Sequence, residues 1–312
     1  MLKSPKNKPF LTIIILNYNS GDYLSKCLSS LDNCHHSTFD YQIIIVDNAS
    51  SDDSFYKARQ LNTKNCLFIT SPTNNGFASG NNLGIKHLDP KTKYVLFLNP
   101  DTTVNPETLE RMIDFFHSHK NVDAATCKII LAKTNQIQPE CHRGFPTPWR
   151  SLCYFTGISK LFPKSQFFNG YFMGNLDLTK PQKIEACVGA FLMIKKQVGE
   201  KIKWWSTDYF FYGEDLDICF QLYQHHYQLW YNPYASIIHY QGISSGVQKY
   251  SKNRSGATKE TKIQVALAST QAMRIFYQRN YFKHYPKFLQ SLVNLGINIL
   301  EKKRLAHARK SL

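Results

Sequence analysis

Tyr94-Val95-Leu96-Phe97-Leu98-Asn99-Pro100-Asp101 is an apolar run that breaks into a polar turn and ends on a carboxylate. A continuous apolar stretch of this length fits a strand buried on both faces. An acid at the carboxyl end of such a strand lies where open α/β sheets bind their ligands. The next helical signal begins only at Pro106, which frees Asp101 from capping duty. The same pattern recurs on either side. Phe10 to Leu16, Tyr41 to Val46, Cys66 to Thr70 and Val122 to Leu131 read as strands. Between them, Tyr23 to Leu31 sets Leu24, Cys27, Leu28 and Leu31 on one helical stripe. Further helices are predicted from Ser51-Asp52-Asp53, over Phe77 to Leu88 and over Pro106 to His117. Strand and helix alternating at this spacing predict an α/β, doubly wound, mostly parallel sheet of Rossmann-like type.

The rhythm stops between Thr134 and Lys183, a stretch rich in Pro, Gly and aromatics, as in Phe145-Pro146-Thr147-Pro148-Trp149. An aperiodic segment this long inside a compact domain is usually a lid or binding loop. Regularity returns with Ile184 to Ile194, a helix from Glu214, and two short strands, Tyr227 to Tyr231 and Ser236 to Tyr240. Two helical stretches follow, about Lys262 to Arg279 and Pro286 to Arg304. The expected organisation is a catalytic domain over residues 1–248 and a basic, helical C-terminal appendage over 249–312.

With 43% hydrophobic and 14% aromatic residues, the 312-residue chain is no disordered polymer. Its net charge of +16 is concentrated. From Lys249 onward there are fourteen Lys and Arg against Glu260 and Glu301, whereas residues 10–248 are nearly neutral. A basic segment of that kind seeks an anionic partner. No RNA- or DNA-binding module accompanies it, which argues against nucleic acid. Between Lys287 and Leu305, Phe288, Leu289, Leu292, Val293, Leu295, Ile297, Ile299 and Leu300 give a broad apolar surface followed by Lys302, Lys303 and Arg304. Too short and interrupted to span a bilayer, it suits an interfacial helix, or else one packed on the catalytic domain. Met1 to Pro9 lacks the apolar stretch of a signal peptide, so the chain is expected in the cytoplasm, peripheral on the inner face of its membrane. The eight cysteines, scattered without a Cys-x-x-Cys pair, are then small buried hydrophobes rather than disulfides or a zinc site.

Several polar clusters fall at predicted strand ends. Asn17-Tyr18-Asn19 and Asp47-Asn48-Ala49-Ser50 should face one crevice, where Tyr18 could stack on a nucleobase and Asp47 or Asn48 meet its edge; a turn with a helix cap is the plainer alternative. Asn74 to Gly84, with Gly76 and Asn82, is a small-residue loop running into a helix amino terminus that could favour phosphate, or be a simple turn. Glu214-Asp215-x-Asp217 puts three acids in one helical turn, more than capping requires. His239 closes an apolar segment, where a histidine is more often a satisfied core residue than a ligand; only its company with Asp101 and Asp215 raises it. A carboxylate, an acidic cluster and a histidine suffice to hold a divalent cation on a diphosphate and to deprotonate an alcohol, the needs of sugar transfer from a nucleotide donor.

Taken in order, Ile13 to Asn19, Ile45 to Ser50, Asn74 to Gly84, Leu98 to Asp101, Gly189 to Met193, Phe211 to Leu222 and His239 to Ser244 resemble family 2 glycosyltransferases of the A-type (GT-A) fold, in particular the rhamnosyltransferase-like branch. The resemblance implies that Asn17, Tyr18, Asp47 and Asn48 line the nucleoside pocket, with Gly76, Asn82 and Asn99 also on the donor. It makes Asp101 the last residue of an Asp-x-Asp-like motif in which Asn99 replaces the first aspartate. It implies Mg²⁺ or Mn²⁺ held by Asp101 and His239. Asp215, with Glu214 beside it, would be the general base of an inverting transfer to a glycan or glycolipid acceptor. In that branch Asn-Pro-Asp often accompanies dTDP-rhamnose; a UDP-sugar such as UDP-Gal or UDP-GlcNAc is the alternative donor. A basic binding protein of the same fold without turnover is the reading from another class, and retention of both Asp101 and Asp215 speaks against it.

Overall fold

The structure, a computed structural model, describes residues 10–61, 63–241 and 259–310. The lysines of residues 1–9, the domain boundary at 248/249, the end of the last motif at 242–244 and the basic positions before residue 259 lie outside these residues.

One half of the molecule is the alternation the sequence predicts. β1 (Phe10–Asn17), α1 (Tyr23–Asp32), β2 (Asp40–Asp47), α2 (Ser54–Arg59), β3 (Cys66–Thr70), α3 (Gly76–Ile85) and β4 (Thr92–Leu98) follow one another. Their strands run parallel in the order β3-β2-β1-β4. Ile13, Ile14 and Ile15 pair with Ile43, Ile44 and Ile45 in register, all six wholly buried. Covering both faces of a parallel sheet is what demands such unbroken β-branched runs.

The other half is mixed. After β5 (Thr102–Val104) and α4 (Thr108–Ser118) come β6 (Ala124–Leu131), then α5 (Pro148–Thr156) and α6 (Ile158–Leu161) within the irregular segment, and β7 (Gln182–Ile184) and β8 (Phe191–Lys195) beyond it. α7 (Lys196–Ile202), α8 (Glu214–Gln224) and β9 (Leu229–His239) complete the sheet, in the order β3-β2-β1-β4-β8-β6-β9-β5 with β7 on β9. β8 runs antiparallel between β4 and β6. The regular stretch expected from Ile184 to Ile194 is therefore two strands parted by an irregular turn.

The two short strands expected at Tyr227 to Tyr231 and Ser236 to Tyr240 are one strand. β9 stays paired with β6 throughout, with a register shift that leaves residues 233–235 bulged out. Pro233 sits in that bulge, the position in a sheet that tolerates a missing N–H.

The appendage packs on the body. In α9 (Lys259–Asn280), Ala272 and Phe276 join the main core, and the Phe276 ring lies 5.6 Å from that of Phe220 on α8. α10 (Lys287–Lys310) lies along α9, held by Arg274–Glu301 at 2.8 Å and by Arg304 donating to Ser269 at 2.6 Å. No described helix is long and apolar enough to cross a membrane. All eight cysteines are free, and seven are buried.

Candidate active site

Asp101 and His239 are brought together by a three-residue ladder of the sheet. Thr102 pairs with His239 across β5 and β9, and Tyr240 N donates to Asp101 O at 2.9 Å. The turn before Asp101 is fixed as well, since Asn99 N donates to Ala190 O at 3.0 Å and Thr102 Oγ1 to Asn99 O at 2.7 Å. This leaves His239 Nε2 3.3 Å from Asp101 Oδ1, both residues buried. The other ring nitrogen meets Gln138 Oε1 at 2.8 Å, and an amide oxygen only accepts, so Nδ1 carries the proton. Nε2 faces a carboxylate oxygen, a contact that either a proton on Nε2 or a cation between or beside the two groups satisfies. One imidazole nitrogen and one carboxylate, with the histidine oriented by an outer amide, fit a small dication that completes its shell with water and phosphate oxygens. No group of three or more acidic, His or Cys side chains suited to a metal occurs among the described residues.

The polar ends of β1 and β2 form the second group. Asn17, expected in the nucleoside pocket, is fully buried, and its amide donates to Asp47 Oδ1 at 2.8 Å, to Ser54 Oγ at 2.9 Å and to Ser50 Oγ at 3.1 Å. Its amide is taken up by these side chains, and none of its surface reaches solvent. Asp47 also accepts from Ser50 N at 3.1 Å. Asn48 donates to Asn74 Oδ1 at 2.7 Å and to Gly76 O at 3.3 Å, while its own Oδ1 is buried with no protein partner. Tyr18, one residue past β1, keeps about a third of its surface in water. Asn82 likewise has a structural duty, gripping the backbone of Trp205 from both sides. Gly76 is a glycine because a Cβ there would fall 2.3 Å from Phe210 O. The close approach lays the loop leading to α8 across the amino end of α3.

The third group is the acidic turn of α8. Gly213 opens it at φ +89°, and a Cβ there would meet the Tyr209 ring at 2.9 Å and Ala272 at 3.0 Å. Its three acids do three different things. Asp217 is buried and accepts from the Tyr209 hydroxyl at 3.0 Å, tying the turn to its own approach. Asp215 is ion-paired, with Arg143 Nη2 donating to Oδ2 at 2.6 Å and Leu216 N to Oδ1 at 2.7 Å. Burial, reinforced by the charge of Asp215, pushes Glu214 up to about 8, and its Oε2 has no partner. Burial thus favours the neutral form of Glu214, beside the ion pair of Asp215 with Arg143.

Arg143 and Gln138 were not predicted. Both lie in the aperiodic stretch, where a lone Arg or Gln carries no pattern. They reach the site through long-range pairing: Arg143 exchanges backbone bonds with Ala186, and Gln138 N donates to Ile129 O at 2.8 Å.

The chain is 26% identical over 237 residues to rhamnosyltransferase WbbL of Escherichia coli, covering 73% of this chain and 82% of that protein. It is 27% identical over 214 residues to the low-salt glycan biosynthesis hexosyltransferase Agl10 of Haloferax volcanii, covering 68% of this chain and 61% of that one. Among solved structures it is similar to the mannosyltransferase PcManGT of Pyrobaculum calidifontis in complex with GDP-Man and Mn²⁺, with a TM-score of 0.57, over 99% of this chain and 77% of that one. At 14% identity this last likeness shows the fold alone, the A-type glycosyltransferase fold. The family model of glycosyl transferase family 2 matches residues 12–202, a span that takes in the crevice and the turn carrying Asp101. With that match over more than half its length, the chain belongs to glycosyl transferase family 2.

Proposed function

We propose that this glycosyltransferase moves rhamnose from dTDP-rhamnose, with inversion, to a hydroxyl of a lipid-linked or polysaccharide acceptor. The proximity of Asp101 and His239 at the sheet end is the observation that carries the site assignment. In this proposal the nucleoside lies against Tyr18, and the partnerless Oδ1 of Asn48 accepts from the N–H edge of the base, with Asp47 behind it. Asp101 and His239 would hold Mg²⁺ or Mn²⁺, with Gln138 fixing the imidazole in the ligating tautomer. Such an ion, when bound, neutralises charge on the departing diphosphate. Asp215 takes the acceptor's proton. Arg143 keeps that carboxylate oriented, and Glu214, protonated beside it, avoids a second negative charge. The Asn99-Pro100-Asp101 turn and the likeness to the rhamnosyltransferase support the choice of sugar.

The exposed side of α10 supports attachment to the inner face of the cytoplasmic membrane. Phe288, Leu292, Leu295 and Ile299 form one exposed stripe while Ile297 packs inward. The deciding experiment offers the purified protein dTDP-rhamnose, UDP-Gal, UDP-GlcNAc and GDP-mannose, and measures binding and slow hydrolysis of each. Preference for dTDP-rhamnose is expected. Preference for a UDP-sugar would overturn the sugar assignment and leave the reaction class standing.

A further inference from the structure

The irregular segment carries a surface that sugar transfer does not use. On α5, Trp149, Leu152 and Phe155 recur every three residues and all face water, the last two at 51% exposure. The opposite side of the same helix buries Cys153 and anchors Arg150 to Glu185 at 2.6 Å. A surface helix ordinarily turns its apolar stripe inward. Here the outward face is apolar as well, and it continues into Leu161, Phe162 and Phe167, with Leu161 the most exposed at 75%.

These side chains are held in place. Trp149 Nε1 donates to Phe167 O at 3.0 Å, the two rings lie 5.0 Å apart, and Phe162 stacks on Phe168 at 4.8 Å. A contiguous exposed apolar patch of this kind marks an interaction surface. The charge around it says what kind. No Asp or Glu occurs between Glu140 and Asp177, while the exposed Lys160 and Lys164 bracket Leu161 and Phe162. Exposed aromatics and aliphatics flanked along the chain by exposed cations match the headgroup boundary of an anionic bilayer. The segment also begins shortly after Arg143, which pairs with Asp215, the proposed base.

We propose that residues 149–167 are a membrane-docking face that seats the chain on an anionic phospholipid surface, independently of α10. The proposal rests on the reading that the acceptor is lipid-linked. The test is co-sedimentation of the full chain with vesicles of phosphatidylcholine and phosphatidylglycerol at low salt. The triple variant Leu152→Glu, Phe155→Glu, Leu161→Glu replaces exposed side chains and should melt as the parent does. Its vesicle partitioning should fall by roughly tenfold or more, since several exposed apolar anchors are lost, while nucleotide-sugar hydrolysis is unchanged. Lys160→Glu with Lys164→Glu should weaken binding to these vesicles and leave binding to pure phosphatidylcholine unaltered. Wild-type partitioning by the triple variant would overturn the proposal, whatever its activity. So would a parent that ignores the vesicles and self-associates through this face, becoming monomeric in the variant. A triple variant that loses vesicle binding in a protein that hydrolyses no nucleotide sugar would sink the transferase assignment instead and leave the surface standing.

Discussion

Arg143 holds Asp215 through a 2.6 Å ion pair in which both side chains are largely buried, one from the irregular segment and one from the first turn of α8. The pairing joins the part of the chain that sequence pattern cannot parse to the acid proposed as base. A carboxylate fixed on both oxygens is a positioned acceptor for a proton. Replacement by the isosteric amide keeps the shape and removes the basicity. Asp215→Asn should lower turnover by about 10²–10⁴ while leaving donor binding within error. Arg143→Ala strands a nearly buried charge, a change that costs on the order of 3–5 kcal/mol in comparable pairs. It should therefore lower both the melting temperature and turnover. Activity near the parent's in a well-folded Asp215→Asn variant would remove Asp215 from the role.

In the proposed site, Gln138 would act on metal affinity without touching the metal. Its amide oxygen holds a proton on Nδ1 of His239 and leaves Nε2 as the nitrogen that would ligate, and outer partners of ligating histidines typically change affinity 10–100-fold. Gln138→Leu, of similar volume, should weaken Mn²⁺ binding by about that factor, read by electron paramagnetic resonance of the free ion. Asp101→Ala should lose binding further. Exhaustive chelation should abolish transfer. Full activity after chelation would assign the diphosphate to basic side chains.

The parallel half was legible because its central strands are unbroken apolar runs, such as Ile43 to Val46, and α1 carries a clean stripe in Leu24, Cys27, Leu28 and Leu31. β9 was not, since Pro233 and its neighbours mimic a turn while the strand on either side stays paired with β6. The site was half legible. Asp101 and His239 stand at the ends of apolar segments, and their proximity follows from the ladder between β5 and β9. Asn17 and Asn82 looked like ligand contacts, yet their polar atoms are taken up by Asp47, Ser54 and Trp205. Sequence shows that a polar residue lies at a strand end; only the fold shows what it already bonds.

Glu214 makes stability depend on pH in a definite direction. Its carboxyl titrates near 4.5 when exposed and near 8 in the folded chain. The folded state therefore holds the extra proton between these values. The favourable contribution is complete below the lower one and is lost as pH rises through the upper one. Glu214→Gln stays neutral throughout. Its stability relative to the parent should grow between about pH 5 and about pH 9, measured by thermal melts at both. An unchanged difference between the two proteins across that range would show that Glu214 is ionised in the fold.

α10 has a face packed on α9 and a separate exposed face, so its packing leaves the proposed membrane attachment a surface of its own. Glu301 and Arg304 bond to α9, and Ile297 and Ala308 are buried. Phe288, Leu292, Leu295 and Ile299 lie on another face, exposed and spaced at helical intervals. Lys302 and Lys303 follow, exposed as well, and each basic residue near an anionic surface contributes about 1 kcal/mol. Leu292→Glu with Leu295→Glu should reduce partitioning onto phosphatidylglycerol vesicles without changing the melting temperature, because neither side chain belongs to the packed face. Lys302→Glu with Lys303→Glu should weaken binding at low salt and flatten its dependence on salt, since the attraction that salt screens, within about 10 Å at 0.1 M, is then largely gone. Transfer to a soluble acceptor should survive both pairs of changes. If Leu292→Glu with Leu295→Glu instead unfolds the appendage, the stripe is part of the core, and peripheral attachment must be sought elsewhere on the chain.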